Sequence, residues 1–398
     1  MGFPRLPLIT ALSLLLLFAY ITGIRLAYSL FYALALLFVV SYIWSRLATD
    51  SLRIERISPE GQFQVGDEFE ERFLVENRSW LPVAFVELTD FSNLPGYDPG
   101  RVFSLKGRKV RRWTSRGRFK QRGLFTFGPV ELRYGDPFGL FPRTMRIKGT
   151  RSVVVYPVIR PVGYLEALAP SVAGEEHIRG RVLDLPPNVT TIREHIPTDS
   201  VKRIHWPSSA RLGRLMSRSF ETREGGDAWL VLDLQKGVHV GSGPESTLEY
   251  AISLAASLAD AGLRRGGAVG LVSNDAMSTV IESGRGEHQR NRLLEHLTLA
   301  QADGTISLAS LLDSQRSQLR ARGGLVIVTA STDQAWVEAL LDLGGLAGRS
   351  LVVYLDPRGF GGRESLTIAP RWRQALNWWV VQGPDDLETT GERKVAGL

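Results

Sequence analysis

The sequence predicts a membrane-anchored multidomain chain: an N-terminal transmembrane helical hairpin, an all-β sandwich-like domain and a C-terminal α/β domain on a parallel sheet. Three observations carry this reading. Two long uncharged apolar stretches open the chain. Short apolar runs separated by turn residues fill roughly the next hundred residues. From Asp227 onward, apolar runs alternate with segments of helical periodicity.

The hairpin comes first. Leu6 to Ile24 and Leu26 to Trp44 carry no charged residue. At 1.5 Å per residue each makes about 28 Å of helix, close to the thickness of the hydrocarbon core. Arg25 separates them, following Thr22-Gly23-Ile24. Arginine is costly in mid-bilayer, so Arg25 marks a turn at a headgroup surface. Arg5 precedes the first stretch and Arg46, Arg53 and Arg56 follow the second. The positive-inside rule then places both termini and the soluble domains in the cytoplasm of a multi-pass cell-membrane protein. A cleaved signal peptide fits poorly, because the apolar region is too long and no small-x-small site follows. The expected divisions are 1–48 for the hairpin, 52–160 for the β domain, 161–226 for a linker, 227–384 for the α/β domain and 385–398 for a polar tail.

In the β domain the expected strands are Phe69–Val75, Val83–Leu88, Leu124–Phe127, Val130–Tyr134 and Val153–Tyr156. Gly66-Asp67, Asn77-Arg78-Ser79, Pro95-Gly96 and Gly135-Asp136-Pro137 supply turns between them. The run from Lys106 to Arg122 is basic and has no acid. Its patch residues are Arg108, Lys109, Arg111, Arg112, Arg116 and Arg118, with Trp113 and Phe119 interleaved. The favoured reading is two solvated strand faces joined by a loop. Anionic lipid headgroups come second, because the cytoplasmic leaflet lies close by. Single-stranded nucleic acid is the weakest of the three.

In the α/β domain, Ala228–Leu234, Ala268–Ser273, Leu325–Thr329 and Leu351–Leu355 read as buried strands. Thr247–Arg265, Glu287–Ala300, Ile306–Arg320 and Gln334–Leu343 read as helices. Ligands of such sheets sit at the carboxyl ends of the strands. That directs attention to Asp233–Gly237, Ser273–Asp275 and Thr329–Asp333.

Much chemistry is excluded. The 398 residues include no cysteine, which removes disulfides, thiol nucleophiles, cysteine-bound zinc and iron–sulfur clusters. The formal charge of +7 is too small to name a partner by itself. P-loop, dinucleotide-binding, zinc-peptidase and nucleophile-elbow motifs are missing. His177, His195 and His205 lie in one region but are irregularly spaced, and His288 and His296 read as part of a solvated helix face. Arg193 to Arg211 is denser. It contains Arg193, Asp199, Arg203, His205, Trp206 and Arg211, and suggests an ion-pair network that docks a linker.

Two segments together resemble one bacterial family, the "domain of unknown function 58" proteins. They are Arg122-Gly123-Leu124-Phe125-Thr126-Phe127-Gly128-Pro129-Val130 with Asp136-Pro137-Phe138-Gly139-Leu140-Phe141, and the Arg193–Arg211 stretch. The order of spans, β domain, signature and α/β domain also matches. His195 departs from the tyrosine usual in the family, and Thr198 from the glycine that usually precedes the aspartate. The resemblance implies an α/β domain similar to von Willebrand factor A domains, which often hold Mg²⁺ through a D-x-S-x-S loop. Here the loop reads Asp233-Leu234-Gln235-Lys236-Gly237, so both hydroxyls are replaced. That leaves a degenerate site with Asp233, Ser273 and Thr329 as weak candidate ligands, and neither metal nor other cofactor is expected. The resemblance further implies association with MoxR-type AAA+ ATPases and transglutaminase-like membrane proteins.

The expected function is a non-enzymatic, membrane-anchored scaffold or adaptor whose α/β domain binds a protein partner, a MoxR-type ATPase by resemblance. The alternatives are metal-dependent ligand binding at Asp233, Ser273 and Thr329, and an enzyme using His195, Asp199 and His205.

Overall fold

In the computed structural model the two apolar stretches are helices, α1 (Arg5–Thr22) and α2 (Arg25–Thr49). Gly23 takes φ +67° and its N–H bonds to the Ala19 carbonyl, ending α1 at Thr22. The structure describes residues 5–49, 52–161, 191–194, 204–219, 227–321, 323–383 and 386. These fall into two units, Met1–Tyr156 and Pro157–Leu398. Among the described residues one helix, near the N-terminus, is long and apolar enough to cross a membrane, over Arg25–Leu47. The apolar part of α1, Leu8–Thr22, is shorter. The two stretches are therefore unequal, where the sequence suggested equal spans.

Among its described residues the first unit continues into ten strands: β1 (Leu52–Ile57), β2 (Gln62–Gln64), β3 (Glu68–Asn77), β4 (Val83–Asp90), β5 (Arg101–Leu105), β6 (Val110–Arg118), β7 (Gly123–Phe127), β8 (Val130–Tyr134), β9 (Arg143–Ile147) and β10 (Arg151–Tyr156). They form sheets of order β1-β3-β6, β5-β4-β8-β9 and β2-β10-β7. Alternation along β3 buries Phe69, Phe73 and Val75, which join Trp113, Val86 and Leu132 or Phe119, Phe127 and Val153 in two apolar clusters.

Arg56, one of the arginines used to orient the hairpin, is buried between Glu71 (2.5 Å) and Asp90 (3.1 Å), and its guanidinium lies over Phe73. Burial raises the Asp90 pKa, against the Ser92 hydrogen bond and the Arg56 charge and with Glu71 adding to the rise. The basic stretch meets acid across the sheet. Arg116 pairs with Glu70 and Arg118 with Glu68, at 2.8 and 2.7 Å. Trp113 stacks on Phe73 in the core at 5.1 Å and Phe119 is fully buried, so neither aromatic is available to stack on a nucleobase.

The second unit contains β11 (Thr191–Glu194), α3 (Trp206–Leu212) and β12 (Met216–Ser219), with β11 and β12 paired antiparallel. It continues through β13 (Ala228–Leu232), α4 (Thr247–Arg264), β14 (Val269–Ser273), β15 (Val280–Gly284), α5 (Gly286–Leu299), α6 (Leu308–Ser314) and α7 (Arg316–Ala321). It closes with β16 (Gly324–Thr329), α8 (Ala335–Leu341), β17 (Ser350–Leu355), α9 (Pro370–Ala375) and β18 (Asn377–Val381). The six-stranded order is β15-β14-β13-β16-β17-β18, parallel except for the antiparallel edge strand β15. Strands β14, β16 and β17 are buried at every residue, as their continuous apolar runs require. Trp229 and Val231 of β13 share a cluster with Leu311, Trp336 and Leu340 from α6 and α8, while α4 packs on β13 as well. The expected helix Ile306–Arg320 is two helices that meet at Gln315. Residues 157–161 belong to this unit: Ser253 Oγ donates to the Val158 carbonyl and the Arg160 N–H donates to Ser257 Oγ.

Candidate functional site

Parallel pairing aligns the carboxyl ends of β14, β13 and β16, with Leu232 opposite both Ser273 and Val328. The next residue of the central strand is Asp233, which is fully buried. Its Oδ2 accepts from Thr329 Oγ1 at 2.7 Å. Its Oδ1 accepts from Asn274 Nδ2 at 2.9 Å and from the Gln235 N–H at 3.2 Å. Asn274 and Thr329 are also fully buried. The Asn274 amide is oriented by its neighbours, because Oδ1 takes the Leu234 N–H and Nδ2 also donates to the Ile306 carbonyl. Thr329 Oγ1 in turn accepts the Ser331 N–H at 2.9 Å. His239 Nε2 sits 2.8 Å from the Asp233 carbonyl, an acceptor only, so that nitrogen carries the proton.

Gly304 ties a second loop into this network. Its N–H donates to the Leu234 carbonyl and its carbonyl accepts the Lys236 N–H. A Cβ there would lie 1.5 Å from the Asn274 carbonyl oxygen, so only glycine lets the two backbones approach this closely.

The three candidate ligands are only partly brought together. Asp233 and Thr329 are bonded, but Ser273 Oγ faces His296 Nε2 at 3.2 Å, and Asn274 occupies the place next to Asp233. These residues do not fit Mg²⁺. Both carboxylate oxygens face N–H or O–H donors of the protein, and Asn274 presents its donor side to the carboxylate. Mg²⁺ requires near-octahedral oxygen ligands, which this arrangement does not offer.

Above the buried network is a cleft of 380 Å³, lined in part by Gln235, Gly237, Ser331, Asp333, Arg363 and Glu364. A neighbouring hollow of 280 Å³ includes Asp275, Met277, Thr279, His296, Leu299 and Asp303. His296 is half-buried rather than part of a solvated face, and burial lowers its pKa against the opposing Asp275 charge. Ser273 and Asp275 approach the same ring nitrogen, Nε2, at 3.2 and 3.7 Å. A nucleophilic relay needs them on opposite nitrogens. Ser273 is also fully buried.

The second signature segment is described in part. Arg193 lies on β11, while His177, His195, Asp199 and Arg203 fall outside the described residues. His205 is the N-cap of α3: its Nδ1 accepts the Ser208 N–H at 3.3 Å and lies 2.8 Å from Ser208 Oγ. Trp206 and Arg211 are exposed. In the basic patch, Arg108, Lys109, Arg111 and Arg112 are exposed, and Arg111 lies 5.1 Å from the Phe103 ring centroid. Sequence reasoning missed His239 and Gly304, and Asn274 lay inside the flagged Ser273–Asp275 segment without being singled out. The available signals were an amide one residue past a strand and a glycine in the loop before a helix.

Residues 191–358 match the family model described as protein of unknown function DUF58. This match covers the second signature segment and most of the α/β sheet, and the first signature segment precedes it. The uncharacterized protein YeaD of Bacillus subtilis is 22% identical over 272 residues, 66% of this chain and 64% of YeaD. The uncharacterized protein Rv1480 of Mycobacterium tuberculosis is 26% identical over 171 residues, 42% of this chain and 54% of that protein. The chain thus covers less than two thirds of the length of these curated relatives. Among solved structures, the CARDB domain of the PF1109 protein from Pyrococcus furiosus aligns at 16% identity. It covers 26% of this chain and 91% of that chain, with a TM-score of 0.20.

Proposed function

We propose that this chain, whose residues 191–358 match the DUF58 family, is a membrane-anchored, non-enzymatic scaffold that receives a protein partner at its strand-end cleft. In this reading α1 and α2 form a hairpin in the cell membrane and both soluble units are cytoplasmic. Arg46 at the end of α2 and exposed Arg53 just beyond it, against Arg25 alone at its start, support that orientation. An aspartate at the carboxyl end of the first strand of the six-stranded sheet supports a von Willebrand factor A-like identity for the second unit. The family resemblance points to an AAA+ ATPase of MoxR type as the partner.

The observation that carries the reading is the state of Asp233. Its carboxylate accepts three hydrogen bonds, from Thr329, Asn274 and the Gln235 N–H, and all of these donors lie at the strand ends it joins. A group bonded in this way stiffens the surface it supports. The rim above it is polar, and Asp333, Arg363 and Glu364 are exposed there, a composition suited to charged and hydrogen-bonding contacts with a protein.

The test is affinity purification of the full-length protein from gently solubilised native membranes, with and without ATP, followed by mass spectrometry. Retention of an AAA+ ATPase in a nucleotide-dependent manner is expected. Repeated recovery of the protein with no ATPase under either condition would contradict the reading.

A further inference from the structure

The end of the β-rich unit that receives α2 carries a second, separate surface. Trp44 Nε1 donates to the Pro82 carbonyl at 3.1 Å, and Ser45 Oγ donates to the Phe141 carbonyl at 2.8 Å. The Phe141 ring stands edge-on to Phe38 and Tyr42, with centroids 4.9 and 5.5 Å away. Asp136, fully buried, holds this loop by accepting the N–H groups of Phe138, Leu140 and Phe141 at 3.1, 3.3 and 2.7 Å. The packing leaves Phe138 outside, 57% exposed.

Two more loops reach the same end. Asn77 Nδ2 donates to the carbonyls of Leu81 and Lys106, and the Arg108 N–H donates to the Ser79 carbonyl. They present Trp80, 71% exposed, beside Lys106, Arg108 and Lys109. These three cations are exposed and have no acidic partner among the described residues.

The depth of these loops follows from α2. From Arg25 to Ser45 the helix rises about 30 Å, one hydrocarbon thickness. Phe38 lies seven residues before Ser45, about 10 Å further towards Arg25. A loop that contacts both Phe38 and Ser45 therefore lies along the boundary between acyl chains and headgroups. Exposed tryptophan and phenylalanine with a cluster of cations is the composition that such a boundary favours.

We propose that Trp80 and Phe138 insert into the bilayer interface beside α2, and that Lys106, Arg108 and Lys109 bind anionic phospholipid headgroups of the same leaflet. The surface holds the β-rich unit against the membrane rather than letting it hang from one helix. This rests on the reading that α2 spans the bilayer.

The natural chain has no cysteine, so single labels can be placed freely. Nitroxides at Trp80→Cys, Phe138→Cys, Tyr32→Cys and Gln121→Cys are compared in full-length protein reconstituted into phosphatidylcholine vesicles containing phosphatidylglycerol. Tyr32 is exposed within α2, and Gln121 lies in the loop at the far end of the β3–β6 pair. The expected result is a Tyr32 label protected from a water-soluble nickel complex, a Gln121 label open to it, and Trp80 and Phe138 labels at headgroup depth. Combining Lys106→Glu, Arg108→Glu and Lys109→Glu should raise nickel access at Trp80 several-fold, as should omitting phosphatidylglycerol. Labels at Trp80 and Phe138 as open as that at Gln121, with Tyr32 protected, would overturn the proposal alone. An unchanged Trp80 label after charge reversal would overturn its electrostatic part. A Tyr32 label open to nickel would overturn the spanning reading and this proposal with it.

Discussion

Thr329 Oγ1 donates a 2.7 Å hydrogen bond to Asp233 Oδ2, joining two buried side chains at the ends of adjacent parallel strands. The bond turns what would be an open strand-end carboxylate into a structural junction.

Asp233→Ala leaves Asn274 Nδ2 without one of its acceptors and Thr329 Oγ1 without its own, both in the interior. The expected loss is roughly 2–4 kcal/mol, read from chemical denaturation of the purified protein. A change within about 0.5 kcal/mol, as at an ordinary surface site, would show that the junction bears no structural weight.

Calorimetric titration with Mg²⁺ should give no saturable heat for the wild type or for Asp233→Asn, which keeps the shape of the junction but removes the carboxylate charge. A saturable Mg²⁺ heat in the wild type that Asp233→Asn abolishes would restore the metal reading.

Gly304→Ala forces a Cβ against the Asn274 carbonyl. A cost of about 1–3 kcal/mol or more is expected, as for an overpacked core. Hydrogen exchange at the Lys236 amide, which bonds to Gly304, should quicken in step. Unchanged protection there would contradict the close approach.

His296 gives a pH dependence with a defined sign. Burial, only partly opposed by Asp275, holds its folded pKa below the ordinary histidine value near 6.5. The unfolded chain therefore binds the proton more readily. The stability associated with neutral His296 is full above about pH 6.5 and declines as pH falls from there through the lower folded pKa. Melting curves between about pH 8 and 5 should show this decline, reduced in His296→Gln. Identical slopes in the two proteins would rule out the assignment.

Trp113→Ala should cost about 3–5 kcal/mol, because the ring is stacked on Phe73 in the core. Exposed Arg112→Ala should stay within about 0.5 kcal/mol. A reversed order would mean that the aromatic faces solvent.

The sequence and the structure agree most where apolar runs are long. The all-buried β16 and β17 were readable as continuous Val, Ile and Leu. The basic residues of β6 were readable only as a solvated strand face. Their pairing with Glu68 and Glu70 of β3 appears only once the register is known. Edge strands β15 and β18 were also missed: β15 buries only Ile281, and the tryptophans of β18 follow closely on the short helix α9. At the site, Asp233 and Thr329 were legible as strand-end residues. Ser273 was chosen one position early. Successive side chains of an extended chain face opposite sides, so Ser273 turns to His296 and Asn274 to Asp233. Gly304 was invisible because its partner carbonyl at Asn274 is distant in sequence.

The most direct test of the scaffold account is in-cell photo-crosslinking from the cleft rim. A photoreactive residue in place of Thr332, on the rim, is compared with one in place of Glu287, exposed at the start of α5. Gln289, two residues on, bonds to the Val269 carbonyl, which places that control at the amino ends of the strands. The account expects Thr332 to yield one adduct with an AAA+ ATPase that changes with nucleotide, and Glu287 to yield none. Adducts with that ATPase from Glu287 but not from Thr332, or no ATPase adduct from either, would contradict it.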